Sequence, residues 1–335
     1  MKHTETCIRS LRRRSCGALL ALAFVGLAAP SPVAAQSWPQ RPVRLLVPFA
    51  AGGNIDVMGR LMAARLSEAI GQQVIVENRV GGNGIVATEA VARAAPDGYT
   101  LLWASTSVVA IVPAAAKVSY DPVKDLAPIG AMTAGPQVLL VNSDVPAKTV
   151  QEFVAWVKAQ PAKIAYAGGG GPASASNLIM SLFQKRAGIE MTNVSYRGTA
   201  PALTDIIAGH IPTMFIPVSE AYAQATNPNI RLLAVSSAKR SLMLPEVPTI
   251  AESGYAGFDA VSWTGLMAPA GTPREIVDKL GAEMVRAVKD PKFVEQIVKA
   301  GNDPLGYGPD AFAKMIASEI PAWGDAVGSA GVRLN

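Results

Sequence analysis

The sequence predicts a two-lobed α/β protein, and three observations support that fold class. Short β-type runs alternate with amphipathic helical stretches along the 335-residue chain, which is typical of α/β folds with largely parallel sheets. About 300 residues follow an N-terminal leader, and a chain of that length commonly forms two domains. Two apolar extended segments, 129–142 and 261–268, flank a self-contained block of strands and helices, as two crossings between lobes would. We expect lobe one to comprise residues 36–138 and 260–335, and an inserted lobe two to comprise residues 139–259.

The first 35 residues have the pattern of a secretory signal peptide. Three arginines, 12–14, precede the apolar run 17–29, and the small residues 33–35 provide a cleavage site. The apolar run is shorter than the ~20 residues that a helix needs to cross a bilayer. Cys16 precedes the apolar run, whereas a lipoprotein cysteine would follow it. We therefore expect export and cleavage near Ala35.

Loss of the leader changes the charge and the available chemistry. The leader holds five basic residues and one acidic residue, so the net charge falls from +5 to +1. A nucleic-acid partner therefore has no electrostatic support. Cys7 and Cys16 leave as well, which excludes a disulfide and a thiolate nucleophile. One histidine, His210, remains in a turn-like stretch, and we interpret it as an exposed loop residue. We expect no metal site and no cofactor.

The elements of the first half are predicted from periodicity and from turn residues. Strands are expected over 43–49, 73–77 and 100–104, and helices over 57–70 and 86–95. Later helix starts are marked by residues that cap free backbone N–H groups. These markers are the pairs Thr149 with Glu152 and Thr249 with Glu252, and the dipeptides Thr272-Pro273 and Asp290-Pro291.

A glycine-rich turn at 48–56 is the first candidate ligand site. It lies between a predicted strand and a predicted helix, where glycines let the backbone approach a ligand and the helix start offers N–H groups to an anion. A carboxylate suits that environment, and neither a P-loop nor a dinucleotide fingerprint is present. The candidate residues are Phe49, Ala51, Gly52, Gly53 and Asp56. The alternative is a tight turn in which Asp56 only stabilises the helix start.

A second glycine-rich turn, 166–177, has the same strand–turn–helix setting in the other predicted lobe. Its candidate ligand residues are Gly169, Gly170, Gly171, Ser174, Ser176 and Asn177. Two such turns in separate lobes favour a cleft to which each lobe contributes half of an anion site. The alternative is a flexible loop in which Ser174 is only an N-cap.

Hydroxyl-bearing loop residues complete the candidate set. Ser105, Thr106 and Ser107 follow a predicted strand, at the end of the sheet where open α/β folds place ligand contacts. Tyr196 and Ser219 occupy similar loop positions in the second lobe. These hydroxyls could bind a ligand, or they could only satisfy the loop backbone.

A series of ordered sequence blocks carries a family resemblance over most of the chain. The blocks are residues 38–42 (WPQRP), 47–49 with Gly52, Gly53 and Asp56, 76–79 (VENR), 95–101 (APDGYTL), 120–122 (YDP), 196–198 (YRG), 200–205 (APALTD), 244–249 (LPEVPT) and 268–273 (APAGTP). In these blocks the chain resembles the substrate-binding proteins of tripartite tricarboxylate transporters, the Bug family. The family's glycine loop is altered here around 170–172, and the segment 212–219 is unusually apolar, which favours a ligand less polar than citrate.

The resemblance implies a type II-like periplasmic binding protein with two crossover strands and a ligand cleft between its lobes. In such proteins, loops equivalent to 49–56 and 168–176 clamp a ligand carboxylate without catalysis. The resemblance also implies a periplasmic location and delivery of the ligand to the integral membrane permease subunits of a transporter. We expect a monomer.

Two other functions stay open from the sequence. One is a periplasmic sensor that presents its ligand-bound state to a receptor kinase. The other is an exported α/β hydrolase, although the chain has no G-x-S-x-G nucleophile motif.

Overall fold

The computed structural model describes residues 38–169 and 173–334, in which eleven strands form two sheets with helices packed against them. The predicted signal peptide lies outside the described residues. The strands are β1 (Val43–Val47), β2 (Val74–Asn78), β3 (Thr100–Ser105), β4 (Leu126–Gly135), β5 (Gln137–Asn142), β6 (Ile164–Gly169), β7 (Met191–Tyr196), β8 (Thr213–Pro217), β9 (Ile230–Val235), β10 (Ser262–Pro269) and β11 (Asp303–Tyr307).

The two helices whose bounds were predicted, 57–70 and 86–95, are found at Asn54–Ile70 and Ile85–Ala92. The helices are α1 (Asn54–Ile70), α2 (Ile85–Ala92), α3 (Val112–Ala115), α4 (Val150–Lys158), α5 (Ala175–Ala187), α6 (Thr199–Ile207), α7 (Val218–Ala223), α8 (Arg274–Ala287), α9 (Pro291–Lys299) and α10 (Pro309–Ser329). A π-helical turn, Ser107–Ile111, leads directly into α3. None of these helices is both long and apolar enough to cross a membrane.

The first sheet has six strands in the order β11-β4-β10-β3-β1-β2. Strand β1 lies parallel to β2 and β3, whereas β10 pairs antiparallel with both β3 and β4. The second sheet has five strands in the order β7-β6-β8-β5-β9, with β6 parallel to β7 and β8 and with β5 antiparallel to β8 and β9. The α/β class is confirmed.

The expectation of largely parallel sheets was wrong, because each sheet is mixed. The antiparallel pairs are those of β10 and β11 in the first sheet and those of β5 in the second. Strands β4, β5 and β10 carry the chain from one sheet to the other. A strand that enters or leaves a sheet at a crossing need not follow the right-handed βαβ connection that makes neighbouring strands parallel.

The two crossings between the sheets lie side by side and are hydrogen-bonded to each other. Strand β4 is separated from β5 by Pro136 alone, so the outward crossing is nearly continuous. Ser236, which follows β9, donates its backbone N–H to the Gln137 carbonyl (2.8 Å) and accepts the Gln137 N–H on its hydroxyl (3.0 Å). The Ser236 hydroxyl also donates to the Ala260 carbonyl at 2.6 Å, just before the chain returns in β10. One buried serine therefore joins the two crossings.

The C-terminal helix α10 belongs to the predicted lobe one, but it packs against elements of both sheets. Trp323, Ala326 and Val327 belong to the same buried apolar cluster as Phe183 of α5. Asp325 also forms an ion pair of 2.7 Å with Lys185 of α5. The apolar stripe of α10 is long enough for its first half to cover β4 while its second half covers α5.

Two of the predicted caps are formed, whereas the one at Thr272-Pro273 was wrong: Pro273 itself precedes the first residue of α8, and the Thr272 hydroxyl donates to the Pro269 carbonyl at 2.7 Å. Thr149 accepts the Glu152 N–H at the start of α4, and Asp290 accepts the Lys292 N–H at the start of α9. Thr249 and Glu252 also form a reciprocal capping box, but it closes a short turn and not a helix. Gly254 takes the left-handed conformation (φ 94°) and ends that turn.

Candidate functional site

A cavity of about 500 Å³ lies where the two sheets meet at the crossings. Its lining combines the turn before α1, the end of β3, the crossings, the start of α5, the start of α7 and the loop after α9. The lining residues are Phe49, Asn54, Ile55, Ser105, Thr106, Ser107, Ile111, Gly135, Pro136, Gln137, Ala173, Ala175, Pro217, Ser219, Glu220, Ser262, Trp263, Thr264, Ala300, Gly301 and Asn302. This volume is within the range of small-molecule sites in proteins.

Asp56 holds the first glycine turn in shape from behind. Its side chain is only 2% exposed. It accepts hydrogen bonds from the Gly52 N–H (2.9 Å), from Asn78 Nδ2 (2.8 Å) and from Arg60 Nε (2.9 Å). Burial alone would raise the pKa of Asp56, but the bonds from Arg60, Gly52 and Asn78 outweigh it and lower the pKa below its ordinary value. Asp56 is therefore ionised, and both of its carboxylate oxygens already accept hydrogen bonds from the protein. Its role is to position the turn.

The same network fixes the rest of this turn. Asn78 Nδ2 also donates to the Phe49 carbonyl at 2.9 Å, which ties the turn to the end of β2. Gly52 has φ 84°, a conformation that a side chain would strain. Asn54 donates to the Ala300 carbonyl (2.8 Å) and accepts from Asn302 (3.2 Å). The start of α1 is thereby joined to the loop after α9 at one wall of the cavity.

The second glycine turn leads from β6 into α5. Ser174 is the N-cap of α5 and accepts the Asn177 N–H at 3.3 Å. Ser176 donates its hydroxyl to the Gln137 side-chain carbonyl at 3.0 Å, and this bond orients a residue of the cavity wall. Ala173 and Ala175 line the cavity on either side of the cap. Gly170 and Gly171 lie outside the described residues.

Ser105 has a buried hydroxyl that lacks a hydrogen-bond partner among the described residues. The residue ends β3, is 4% exposed and lines the cavity. The hydroxyl of its neighbour Thr106 does have a hydrogen-bond partner, because it accepts the backbone N–H of Trp263 at 2.9 Å. A buried hydroxyl without a partner costs free energy. Ser105 is therefore well suited to bond a ligand that enters the cavity.

Across the cavity, α7 approaches the loop after α9 closely. Gly301 has φ 78°, and a side chain at this position would place its Cβ 2.6 Å from the Cβ of Ser219. Only glycine permits this approach, since real Cβ contacts are not so short. Glu220, next to Ser219, also lines the cavity.

The cavity lining has a simple charge pattern. Among the described lining residues, Glu220 is the one charged side chain, and no arginine, lysine or histidine is present. The other polar groups are hydroxyls and amides, and the apolar surface comes from residues such as Phe49, Ile55, Ile111 and Trp263. An anion in this cavity would therefore be held by neutral donors and not by a salt bridge.

The structure brings together some of the predicted site residues and not others. Phe49, Ser105, Thr106, Ser107 and Ser219 line the cavity. Ala51, Gly52, Gly53, Asp56, Gly169, Ser174 and Ser176 do not line it themselves; they belong to the turns that border it. Their part in binding stays a prediction.

Two predicted residues face other partners. Asn177 is 1% exposed and accepts hydrogen bonds from the Tyr166 hydroxyl and from Asn193, both at 2.7 Å. It lines a separate cavity of about 720 Å³ between α5 and β7. The Tyr196 hydroxyl donates a hydrogen bond of 2.6 Å to Asp205, which lies in α6 beside the second sheet. Their side chains are committed to these contacts, and neither lines the cavity at the crossings.

Several lining residues were not among the predicted set. Gln137, Ser262 and Trp263 lie on the crossing strands, so the two apolar crossing segments were the signal that could have found them. Glu220 follows a predicted residue directly. Asn302 lies far along the chain, and no local pattern marks it.

Histidine chemistry is not part of this cavity. His210 has a side chain that is 70% exposed, and its Nδ1 lies 3.4 Å from Asp205 Oδ1. The prediction of an exposed loop residue is confirmed. Within the described ranges, no group of three or more histidine, cysteine or carboxylate side chains is arranged to bind a metal ion.

Comparisons with known proteins agree on one family. The sequence model described as tripartite tricarboxylate transporter family receptor matches residues 58–332. Protein BugT of Bordetella pertussis is 35% identical over 318 residues, which cover 93% of this chain and 96% of that protein.

Solved structures of similar proteins share the fold. The periplasmic binding protein BugD is 34% identical with a TM-score of 0.64, and 88% of this chain and 99% of BugD are covered. R. palustris Rpa4515, solved with adipate, is 32% identical with a TM-score of 0.68 over 88% of this chain and 99% of that one. MatC of Rhodopseudomonas palustris, solved with bound malate, is 32% identical with a TM-score of 0.64 over 87% and 100%. The predicted two-lobed periplasmic binding protein fold is confirmed.

Proposed function

The chain belongs to the tripartite tricarboxylate transporter receptor family, and we propose on that premise that it captures a small organic carboxylate between its two lobes. The captured ligand is delivered to the integral membrane permease subunits of a tripartite tricarboxylate-type transporter. The protein binds its ligand without transforming it. Adipate and malate in two similar structures support a carboxylate as the ligand class.

The cavity at the crossings carries the proposal. It has the volume of a small-molecule site, and both glycine turns border it. It also contains the buried Ser105 hydroxyl, which has no hydrogen-bond partner among the described residues. Neutral donors can hold a carboxylate in a largely apolar cavity, because each hydrogen bond to a charged acceptor is stronger than one between neutral groups. We expect backbone N–H groups of the turns and the Ser105 hydroxyl to hold the carboxylate.

The lobes of this proposal are those predicted from the sequence. Lobe one comprises residues 36–138 and 260–335 around the first sheet, and lobe two comprises residues 139–259 around the second. The change of sheet at Pro136 and the return near Ala260 support these boundaries. We further propose that the protein is exported, cleaved near Ala35, and monomeric in the periplasm.

A panel of organic acids tests the proposed function. A ligand that binds only the folded state stabilises it by about 2.7 kcal/mol at a hundredfold excess over Kd. We expect monocarboxylates, dicarboxylates or amino acids from the panel to raise the melting temperature, and calorimetry to give a one-to-one complex. Stabilisation by neutral amides or sugars, with none by any acid, would contradict a carboxylate site.

Replacement of Ser105 by alanine separates ligand binding from stability. We expect Ser105→Ala to weaken binding of the acid found in the panel at least tenfold, since a hydrogen bond to a charged group contributes ~1.5–3 kcal/mol. The empty protein should lose no stability, because the hydroxyl has no partner to lose. Chemical denaturation and calorimetry measure the two effects.

Ser236→Ala is the matched control for that experiment. Ser236 is also a buried serine, but its hydroxyl accepts from Gln137 and donates to Ala260. We expect this variant to lose about 1–3 kcal/mol of stability, since buried groups are left without partners. If Ser105→Ala destabilised the empty protein as much as Ser236→Ala does, the Ser105 hydroxyl would be structural.

A further inference from the structure

Glu220 stands alone as a charge in the proposed binding cavity. It lies in α7, which follows β8, whereas the two glycine turns precede α1 and α5. Among the described residues it takes part in no ion pair. Other carboxylates of the protein form ion pairs at the surface, such as Asp97 with Arg41 and Glu190 with Lys163. An unpaired carboxylate that lines a cavity is available to a ligand.

The pKa of the Glu220 carboxylate is shifted by burial, and no neighbouring positive charge compensates for it. Burial raises the pKa of Glu220, and the Thr199 hydrogen bond opposes that rise only in part. No positive side chain of the described lining offsets the charge. The lining of the cavity therefore disfavours the ionised form of Glu220. A ligand that supplies a positive group would favour that ionised form.

From this juxtaposition we propose that the ligand is an amino-carboxylate, whose cationic amine is bound by Glu220 while its carboxylate is held by Ser105 and by neutral donors of the first glycine turn. The inference rests on the proposed function, because it takes the carboxylate end of the ligand from there. Glu220 is the residue that determines specificity for the group at the other end of the ligand.

The charge balance distinguishes this ligand class from dicarboxylates. A dicarboxylate would bring two negative groups into a cavity that already holds Glu220 and contains no described cation. Repulsion between like charges is strong in a partly desolvated site. An amino-carboxylate has no net charge and pairs with Glu220 directly. A dicarboxylate could bind only if Glu220 were first protonated, so its binding would take up a proton.

Matched ligands of equal carbon number provide the test. The amino-carboxylates 4-aminobutanoate, 5-aminopentanoate and 6-aminohexanoate are compared with butanedioate, pentanedioate and hexanedioate, and with the unsubstituted monocarboxylates butanoate, pentanoate and hexanoate. Calorimetry at pH 7.5 gives affinities, and repetition in buffers of different ionisation enthalpy gives the number of protons taken up. We expect at least one amino-carboxylate to bind at least tenfold more tightly than its dicarboxylate and its monocarboxylate, without proton uptake.

Glu220→Gln removes the charge and keeps the shape of the side chain. We expect it to weaken amino-carboxylate binding at least tenfold and to strengthen dicarboxylate binding. Glu246→Gln, at an exposed position outside the cavity, is the matched control and should change neither affinity. Melting temperatures of both variants confirm that they are folded.

The outcomes separate the two proposals. Tighter binding of a dicarboxylate or a monocarboxylate than of every amino-carboxylate, with Glu220→Gln leaving affinities within twofold, would overturn the role of Glu220 and leave the proposed function standing. Tighter binding of a dicarboxylate than of every amino-carboxylate, with uptake of a proton that is lost in Glu220→Gln, would also overturn it, since Glu220 would then act as a protonated donor. Failure of every acid in this set and in the wider panel would reject the proposed function itself.

Discussion

Asp56→Ala is expected to lower the free energy of unfolding by about 3 kcal/mol at neutral pH and to weaken ligand binding at least tenfold. Loss of one partner from a buried, hydrogen-bonded charge pair is among the most destabilising changes known. Here the change leaves the Gly52 N–H and Asn78 Nδ2 without the acceptor that holds the first glycine turn. Chemical denaturation and calorimetry with the acid found in the panel measure the two losses.

Asp278→Ala is the matched control for Asp56→Ala. Both aspartates pair with an arginine four residues away on a helix, at 2.9 Å in Asp56–Arg60 and 2.8 Å in Arg274–Asp278. The Asp278 side chain is 51% exposed, however, whereas that of Asp56 is 2% exposed. An exposed pair contributes about 0.3–0.5 kcal/mol. Equal losses in the two variants would show that Asp56 acts only as a helix ion pair.

The stabilisation by Asp56 should also depend on pH in a defined direction. Its pKa is lowered in the folded protein, so the unfolded chain binds a proton at a higher pH than the folded chain does. The contribution is therefore complete above the ordinary aspartate pKa and is lost as the pH falls through the lowered value. The difference between wild type and Asp56→Ala should narrow on acidification.

The parts of the fold that sequence could predict are those decided by local chemistry. Strand β1 and helix α1 follow from periodicity, and the starts of α4 and α9 follow from residues whose side chains cap nearby N–H groups. The reciprocal bonds of Thr249 and Glu252 show the limit of such signals. They satisfy a turn as well as a helix, and only the chain beyond Gly254 decides between the two.

The composition of the cavity could be predicted only in part, because much of it depends on long-range packing. The glycine turns and Ser105 carry recognisable local patterns. Asn302 lines the cavity because its side chain meets Asn54, which is 248 positions away in the sequence. Asp56 was predicted as a ligand residue, yet tertiary packing places Asn78 and Arg60 on its carboxylate and commits it to the turn.

Glu319 is a partly buried carboxylate whose position depends on packing between distant elements. It lies in α10 and accepts hydrogen bonds from the indole N–H groups of Trp263 (2.5 Å) and Trp323 (3.4 Å). Burial raises the pKa of Glu319 to about 7, the two indole bonds oppose the rise, and the nearby Asp259 carboxylate adds to it. The group lies beside β10, one of the strands through which the chain crosses between the lobes.

A raised carboxylate pKa makes the folded protein less stable as the pH increases. The folded chain keeps the Glu319 proton up to a pH of about 7, whereas the unfolded chain loses it near 4.5. Stability from this group is therefore fully present below pH 4.5 and falls as the pH rises through 7. A difference of this size corresponds to about 3 kcal/mol at pH 8 and above.

Glu319→Gln should remove most of that pH dependence. The variant cannot ionise, and its side-chain carbonyl can still accept a hydrogen bond from Trp263, so we expect it to be up to about 3 kcal/mol more stable than wild type at pH 8 and similar to it at pH 4.5. Denaturation curves at several pH values between 4.5 and 8.5 measure the difference, with the exposed Glu246→Gln as control. Because the new amide can alter stability equally at every pH, the change in the difference with pH is the decisive quantity. If the difference in stability between wild type and Glu319→Gln stayed constant across this range, the pKa of Glu319 would not be raised in the folded protein.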